Sequence, residues 1–123
     1  MQQVSSVLIV EDDYALNDAF SMILRHAGYN VRSASNGEAA LQLLADGYSP
    51  DIILLDILMP VMDGRIFLSR YKNPRKIPVV ALSNLDAREE IDQILALGAT
   101  NYMLKSNVNP VSLVSLVQSE LAP

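Results

Sequence analysis

The sequence predicts a doubly wound α/β fold in which five parallel strands alternate with five helices. Short, continuous apolar runs recur along the chain, which is typical of strands buried on both faces of a parallel sheet. Stretches with helical periodicity lie between these runs. The length of 123 residues fits one domain. Five strands fit the sheet order 2-1-3-4-5 better than a six-stranded dinucleotide-binding sheet.

The candidate strands are runs rich in Val, Ile and Leu that are too short for typical helices. The clearest are Val7–Val10, Ile52–Leu55 and Val79–Leu82. Tyr102–Leu104 is a weaker candidate. Val31–Ala34 is the fifth, and we expect it at an edge of the sheet because it is less apolar than the others.

The helices are indicated by apolar residues three or four positions apart. These stripes run through Leu16–Ala27, Ala40–Leu44, Ile66–Tyr71, Ile91–Leu95 and Leu113–Leu121.

Residues typical of helix ends set the expected boundaries. Gly28, Gly47 and Gly98 follow the first, second and fourth stripes, where glycine commonly ends a helix. Asp86 and Glu89 have capping-box spacing, so the fourth helix is predicted to begin near Asp86.

The fifth helix is predicted to begin at Asn109-Pro110, an N-cap residue followed by proline at the first helical position. Gly37 and Gly64 are interpreted as turn residues. We expect residues 1–123 to form a single domain whose core extends from about 7 to 121.

Composition excludes several functional classes. The chain has no cysteine and one histidine, which rules out disulfide scaffolds, thiol catalysis and Cys- or His-rich metal sites. The net charge of -5 disfavours direct nucleic-acid binding. No apolar run approaches a membrane span and the first residues do not resemble a signal peptide, so we expect a cytoplasmic protein with no membrane partner.

Acidic side chains come directly after two predicted strands. Glu11, Asp12 and Asp13 follow the first strand, and Asp56 follows the third. Open parallel sheets bind ligands where the strand order reverses, which here lies between strands one and three. Neighbouring carboxylates repel one another, and a hard divalent cation relieves that repulsion. The sequence therefore predicts a Mg²⁺ (or Mn²⁺) site at Glu11, Asp12 and Asp56, with Asp13 capping the first helix.

Ser83 and Lys105 close strands four and five, at the same edge of the sheet. A hydroxyl that donates a hydrogen bond and an ammonium that neutralises charge suit a doubly charged phosphoryl group beside a metal ion. Each residue alone is typical of an ordinary strand end, and it is their shared position that indicates a function.

Four segments, in this order and spacing, resemble the receiver domain of two-component response regulators, and in particular stand-alone, chemotaxis-regulator-like receivers. The segments are VLIVEDD, DIILLDILMPVMDG, VVALSN and NYMLK. The resemblance extends from about Val7 to Leu121 and implies a flavodoxin-like, three-layer (βα)5 sandwich.

The resemblance implies that Asp56 accepts a phosphoryl group from the phosphohistidine of a histidine kinase or a histidine phosphotransfer protein. It implies that Mg²⁺ is bound directly by Asp12, Asp56 and the backbone carbonyl of Leu58, and through a water by Glu11. Lys105 would pair with the phosphate. We expect a signalling switch rather than an enzyme, although the domain would catalyse its own phosphotransfer and autodephosphorylation.

Ser83 matches the family's switch hydroxyl, and Tyr102 matches its switch aromatic. Their inward movement would repack the surface formed by helix four, strand five and helix five. The resemblance implies that this surface signals to a downstream protein partner or forms a phosphorylation-dependent homodimer.

Three residues are expected to modulate the chemistry. Asn84 stands where the family usually has a small Ala or Gly, and we expect it to hinder access to the phosphoryl group or to hydrogen-bond to it. Leu58 and Leu85 lie two positions beyond Asp56 and Ser83, where the family tunes dephosphorylation. Two apolar side chains there are expected to shield the phosphate from water.

Ser106 follows Lys105 where the family typically has proline, often with a cis peptide bond before it. A cis Lys105–Ser106 bond would cost about 3 kcal/mol more than trans and would need strong local support.

Three other functions are weighed against this one. A non-phosphorylated pseudo-receiver that only docks a partner would need none of the set Glu11, Asp12, Asp56, Ser83 and Lys105. A receiver fragment of a larger regulator with a DNA-binding or enzymatic output is a second, although the Met1 start and the Leu121–Pro123 end favour a complete short chain. A small flavodoxin-like enzyme or flavin binder is a third, but the chain lacks a Ser/Thr/Gly-rich phosphate-binding loop after strand one, and the acids there would repel a flavin phosphate.

Overall fold

Residues 4–122 are described by a computed structural model of the chain, and within them five parallel strands form one sheet. The order is β2-β1-β3-β4-β5, with bounds β1 Ser6–Val10, β2 Asn30–Ala34, β3 Ile52–Asp56, β4 Val79–Ser83 and β5 Asn101–Leu104. This confirms the predicted fold class and the predicted edge position of β2. Residues 1–3 and 123 of the expected domain lie outside the described residues.

The helices alternate with the strands, so that a helix follows each strand in turn. Their bounds are α1 Tyr14–His26, α2 Gly37–Ala45, α3 Gly64–Arg70, α4 Arg88–Ala96 and α5 Pro110–Leu121, and a 3-10 turn at Lys105–Asn107 precedes α5. In the described part of the chain, no helix reaches the length and hydropathy of a membrane span.

Both faces of the three central strands β1, β3 and β4 are buried, which explains why these strands are continuous apolar runs. Alternate residues point to opposite faces, so Val7 and Ile9 pack with α1 and α5, whereas Leu8 and Val10 pack with α2, α3 and α4. The result is a three-layer sandwich with one hydrophobic cluster on each side of the sheet.

The predicted capping box of the fourth helix is wrong, because α4 begins at Arg88 without a side-chain cap. One local and one tertiary hydrogen bond hold the preceding segment in a non-helical conformation. The Leu85 N–H donates to the Ser83 hydroxyl oxygen at 3.3 Å, and the Tyr102 hydroxyl donates to the Leu85 carbonyl. Asp86 therefore lies in a loop.

Tyr71 was predicted to be helical and is not, since α3 ends at Arg70 and Tyr71 has an extended backbone. Its side chain nevertheless packs on Phe67, with the ring centroids 5.6 Å apart. This contact explains why Tyr71 continues the apolar stripe of α3 although its backbone is no longer helical.

The interpretation of Gly37 and Gly64 as turn residues is also wrong, because they are the first residues of α2 and α3. Gly64 lies against the end of β3. A Cβ atom there would lie 2.8 Å from the Asp56 carbonyl oxygen and 2.9 Å from the Ile57 Cα. The absence of a side chain lets α3 begin directly against the backbone of Asp56 and Ile57.

Val61 has a left-handed backbone, with φ at 68°. The Met62 N–H donates to the Pro60 carbonyl at 2.7 Å, so residues 60–62 form a γ-turn. A positive φ at its centre identifies the rarer and more strained form of this turn, and a β-branched side chain adds to the strain. No residue pattern in the sequence predicts it.

Replacing Gly64 with Ala is expected to destabilise the protein by about 2 kcal/mol or more, because the new methyl group meets backbone atoms that cannot move independently. Gly37→Ala is the matched control at the start of α2. Its Cβ would lie 3.0 Å from the Met62 Cγ and from the Met62 carbonyl oxygen, so the backbone contact is less close than those at Gly64 and a smaller loss is expected. Urea unfolding measures both changes, and equal stability of Gly64→Ala and the parent would contradict the close approach.

Replacing Val61 with Asn is expected to raise the free energy of unfolding by about 0.5 to 1 kcal/mol, since Asn tolerates the left-handed region better than a β-branched residue. Val111→Asn is the control, because Val61 and Val111 are 74% and 77% exposed and Val111 lies in a helix. The same gain in both variants would show that loss of exposed apolar surface, rather than relief of backbone strain, is the cause.

Candidate functional site

The carboxyl ends of β1 and β3 bring three acidic side chains together. Val10 and Leu55 form the last residue pair between these strands, so Glu11 and Asp56 follow at the same level. One carboxylate oxygen from each of Glu11, Asp12 and Asp56 lies within 4.8 Å of the others. The structure thus assembles the three acids that the sequence predicts as a set.

Glu11 is held by contacts at both of its carboxylate oxygens. The Asp13 N–H donates to Oε2 at 3.1 Å, and the Lys105 Nζ lies 2.7 Å from Oε1. Apart from this ion pair, Oε1 has no hydrogen-bond partner among residues 4–122. Asp13 also caps α1 as expected, with its side chain accepting from the Leu16 N–H at 3.1 Å.

Lys105, which directly follows β5, contacts the acids at the ends of β1 and β3. Its Nζ lies 3.1 Å from the Asp56 Oδ2 in addition to its contact with Glu11. Burial lowers the pKa of Lys105, but its hydrogen bonds and ion pairs with Glu11 and Asp56 outweigh burial and raise the pKa overall. Lys105 therefore remains a cation at neutral pH.

Asp56 is the carboxyl group whose ionisation is most perturbed by this arrangement. Its side chain is 4% exposed. Its pKa is raised to about 7, mainly by burial and further by the neighbouring charge of Glu11, whereas Lys105 acts to lower it. A cation that binds to the ionised form would lower this pKa.

The chemistry of the cluster fits a hard divalent cation. Three carboxylates face one ammonium group, so the local charge is negative, and the candidate ligands are all oxygens. Oxygen donors with one or two direct carboxylates are what Mg²⁺ prefers, and Mn²⁺ accepts the same ligands. Glu11, Asp12 and Asp56 could hold such an ion, and Leu58 offers a backbone carbonyl two residues after Asp56.

Ser83 and Tyr102 are joined through the backbone of Leu85. Ser83 is 1% exposed, and its hydroxyl oxygen accepts from the Leu85 N–H at 3.3 Å. The Tyr102 hydroxyl donates to the Leu85 carbonyl. Burial raises the pKa of Tyr102 above its ordinary value. Both polar backbone groups of Leu85 are therefore engaged by these two side chains.

Asn84 and Ser106 meet beyond the ends of β4 and β5. The Ser106 N–H donates to the Asn84 Oδ1 at 3.1 Å. Both residues are exposed. The Lys105–Ser106 peptide bond is trans, as are all peptide bonds in residues 4–122.

The two leucines expected to shield the phosphate have different surroundings. Leu58 is 55% exposed. Leu85 is half-buried and packs against the hydrophobic cluster on the α2, α3 and α4 side of the sheet. Shielding by these residues stays a prediction.

Asn17 is a site residue that our sequence analysis did not identify. It is buried in α1, and its Nδ2 donates to the Glu11 carbonyl at 3.0 Å. Ser21 in turn donates to the Asn17 Oδ1 at 3.4 Å. The sequence does contain a signal for this residue, because Asn17, Ser21 and Leu24 are three or four positions apart and therefore lie on one face of α1, the buried one. Asn17 holds the backbone of the first acidic residue in place.

A family model for the response regulator receiver domain matches residues 7–118 of the chain. The chain is 35% identical over 102 residues to the transcriptional regulatory protein KdpE of Staphylococcus aureus, covering 82% of this chain and 43% of that protein. It is 37% identical over 121 residues to the protein-glutamate methylesterase/protein-glutamine glutaminase 3 of Rhodospirillum rubrum, covering 96% of this chain and 32% of that protein. The chain therefore spans less than half the length of these relatives.

Among solved structures, the fold is similar to that of the chemotaxis response regulator CheY4 of Vibrio cholerae. The TM-score is 0.88 at 30% sequence identity, and the match covers 97% of this chain and 100% of that chain.

Replacing Asp56 with Asn is expected to stabilise the metal-free protein at alkaline pH. The pKa of Asp56 is about 7 in the folded protein, against an ordinary value of 3.8. The stability contributed by this carboxyl is complete below about pH 4 and is lost as the pH rises through about 7. Asp56→Asn should therefore gain about 1 to 3 kcal/mol over the parent at pH 8, and the gain should shrink towards pH 4.

Urea unfolding in EDTA across this pH range measures the effect. Asp18→Asn, at an exposed position of α1, gives the baseline for removing one negative charge. Added Mg²⁺ should reduce the advantage of Asp56→Asn, because the ion stabilises the ionised parent. A variant no more stable than the parent at pH 8 would contradict the raised pKa.

Proposed function

The chain belongs to the response regulator receiver family, and on that premise we propose that Asp56 accepts a phosphoryl group from a phosphohistidine. Receiver domains are the signalling switches of two-component systems, and the phosphohistidine would be carried by a histidine kinase or a histidine phosphotransfer protein. A carboxylate oxygen of Asp56 forms the new bond to phosphorus while the bond from phosphorus to the histidine nitrogen breaks. The imidazole nitrogen leaves with the electron pair of that bond.

The observation that carries this proposal is the contact of buried Asp56 with Lys105 beside two further acids. Lys105 is a charged donor that can follow the negative charge from the carboxylate to the transferring phosphoryl oxygens. The Glu11 Oε1 lies 2.7 Å from the Lys105 Nζ, so the ammonium is oriented before the phosphodonor binds.

Receiver domains bind Mg²⁺ at an acidic cluster, and we propose the ligands in this chain. Asp12, Asp56 and the Leu58 carbonyl would bind the ion directly, and Glu11 would bind it through a water. When bound, Mg²⁺ (or Mn²⁺) neutralises charge on the phosphoryl oxygens. Asp12 and Glu11 otherwise repel an incoming phosphoryl group, so transfer should require the divalent cation.

Ser83 and Tyr102 would convert phosphorylation into a change of surface. A phosphoryl group on Asp56 offers the Ser83 hydroxyl a charged acceptor. As Ser83 turns towards it, the Leu85 N–H loses its acceptor and the segment that Tyr102 contacts must rearrange. The surface of α4, β5 and α5 would change with it and bind a downstream protein partner, or a second copy of the chain.

The phosphorylated state is expected to decay by autodephosphorylation, because an acyl phosphate is hydrolysed by water. Leu58 and Leu85 are proposed to slow this step by limiting the approach of water.

The output of the whole protein is a further proposal, because the match to this chain covers less than half of each relative named above. One of them is named a transcriptional regulator and the other a methylesterase. We propose a single cytoplasmic receiver domain over residues 1–123 that acts on a separate protein. A receiver within a larger regulator with a DNA-binding or enzymatic output is the alternative.

Incubation with acetyl phosphate and Mg²⁺, followed by intact mass measurement, tests the proposed function. The parent is expected to gain roughly 80 Da, the mass of one phosphoryl group, and Asp56→Asn is expected to gain nothing. EDTA should abolish the gain.

A known receiver treated in parallel checks the phosphodonor. A gain in both the parent and Asp56→Asn would place the acceptor elsewhere. No gain in the parent, with either acetyl phosphate or a phosphorylated histidine phosphotransfer protein, would favour a non-phosphorylated docking module.

A further inference from the structure

The hydrogen bond from the Ser106 N–H to the Asn84 Oδ1 lies just beyond the end of the sheet. Ser83 and Leu104 form the last residue pair between β4 and β5. The next contact across these strands uses the Asn84 side-chain oxygen, at 3.1 Å, as the acceptor for a backbone N–H. Asn84 thus continues the connection between the two chain segments after their strand pairing ends.

This bond joins the two segments that carry the phosphoryl-binding donors. Asn84 is the residue after Ser83, whose hydroxyl is one donor, and Ser106 is the residue after Lys105, whose ammonium is the other. β5 is an edge strand of four residues, so the turn after it is supported by a neighbouring strand on one side only. Contacts between β4 and β5 beyond the last pair therefore determine how far apart the two donors can move.

The other contacts of Lys105 cannot maintain this spacing through the reaction. Its Nζ is held by Glu11 and by the Asp56 Oδ2, and the Asp56 carboxylate is the group that changes on phosphorylation. The Asn84–Ser106 hydrogen bond uses neither carboxylate. It can persist while the Lys105 ammonium exchanges Asp56 for the phosphoryl group.

We propose that Asn84 is a positioning residue for phosphoryl binding. By holding the Ser106 N–H, it keeps the backbone of Lys105 at a fixed distance from Ser83, so that the ammonium and the hydroxyl contact the same phosphoryl group. This inference rests on the proposed function of Asp56. It assigns to the Asn84 side chain a role opposite to steric obstruction, since the residue assists binding.

Because Asn84 is exposed, a positioning role in phosphoryl binding can be distinguished from a role in the stability of the fold. An exposed side chain with a single hydrogen bond contributes little to the free energy of unfolding. Loss of this hydrogen bond is expected to weaken phosphoryl binding more than it lowers the free energy of unfolding. The reason is that a pre-positioned pair of donors loses less conformational freedom when the ligand binds.

The test compares Asn84→Ala and Asn84→Leu with Ser106→Ala. Both Asn84 variants remove the acceptor, and Leu keeps the size and branching of Asn. Ser106→Ala is the matched control, because it changes the neighbouring side chain and keeps the backbone N–H that forms the bond. The probe is beryllofluoride, a phosphoryl mimic, with saturating Mg²⁺. The sequence has no tryptophan, so binding is followed by ¹⁹F NMR rather than by tryptophan fluorescence.

We expect both Asn84 variants to bind beryllofluoride about two- to tenfold more weakly than the parent, and Ser106→Ala to bind as the parent does. The affinity for Mg²⁺ alone should be the same in all four proteins, because the acidic ligands are untouched. The amide proton of residue 106 should exchange faster with solvent in both Asn84 variants only.

Tighter binding by Asn84→Ala with unchanged binding by Asn84→Leu would overturn the inference in favour of steric obstruction. Unchanged binding in both Asn84 variants would overturn it as well. A parent that binds Mg²⁺ but not beryllofluoride, and that is not phosphorylated, would overturn the proposed function and this inference together.

Discussion

The arrangement of three carboxylates around one ammonium group is the constraint on which the site depends. Glu11 and Asp56 are buried and Lys105 is the cation between them, so water cannot screen the excess negative charge. Burial is the main cause of the raised pKa of Asp56, and the neighbouring charge of Glu11 adds to it. The fit of a divalent cation follows from the excess negative charge. The remaining features of the fold keep these four side chains close despite their repulsion.

Support for the acids comes from both faces of the sheet. On one face, Asn17 of α1 donates to the Glu11 carbonyl. On the other face, Gly64 begins α3 against the backbone of Asp56 and Ile57, and its N–H donates to the Ile57 carbonyl at 2.8 Å. Each helix thereby fixes the main chain at a strand end from which one of the buried carboxylates projects.

The features that could be predicted from sequence are those with local signals. Continuous apolar runs predicted the strands, and acidic residues directly after the runs predicted the cluster of Glu11, Asp12 and Asp56. The start of α4 could not be predicted, because the hydroxyl of Tyr102, distant in sequence, holds the preceding loop through the Leu85 carbonyl. The hydrogen bond between the Ser106 N–H and Asn84 could not be predicted either, because every residue except proline has a backbone N–H and the sequence does not show which one Asn84 contacts.

Leu85 imposes an energetic threshold on any rearrangement of this loop. Its N–H and its carbonyl are satisfied by side chains from two different strands, Ser83 on β4 and Tyr102 on β5. A state in which only one of these side chains has moved leaves a half-buried backbone group without a partner, which costs about 1 to 3 kcal/mol. Movement of either side chain therefore carries this cost unless the loop itself rearranges and gives the freed Leu85 group a new partner.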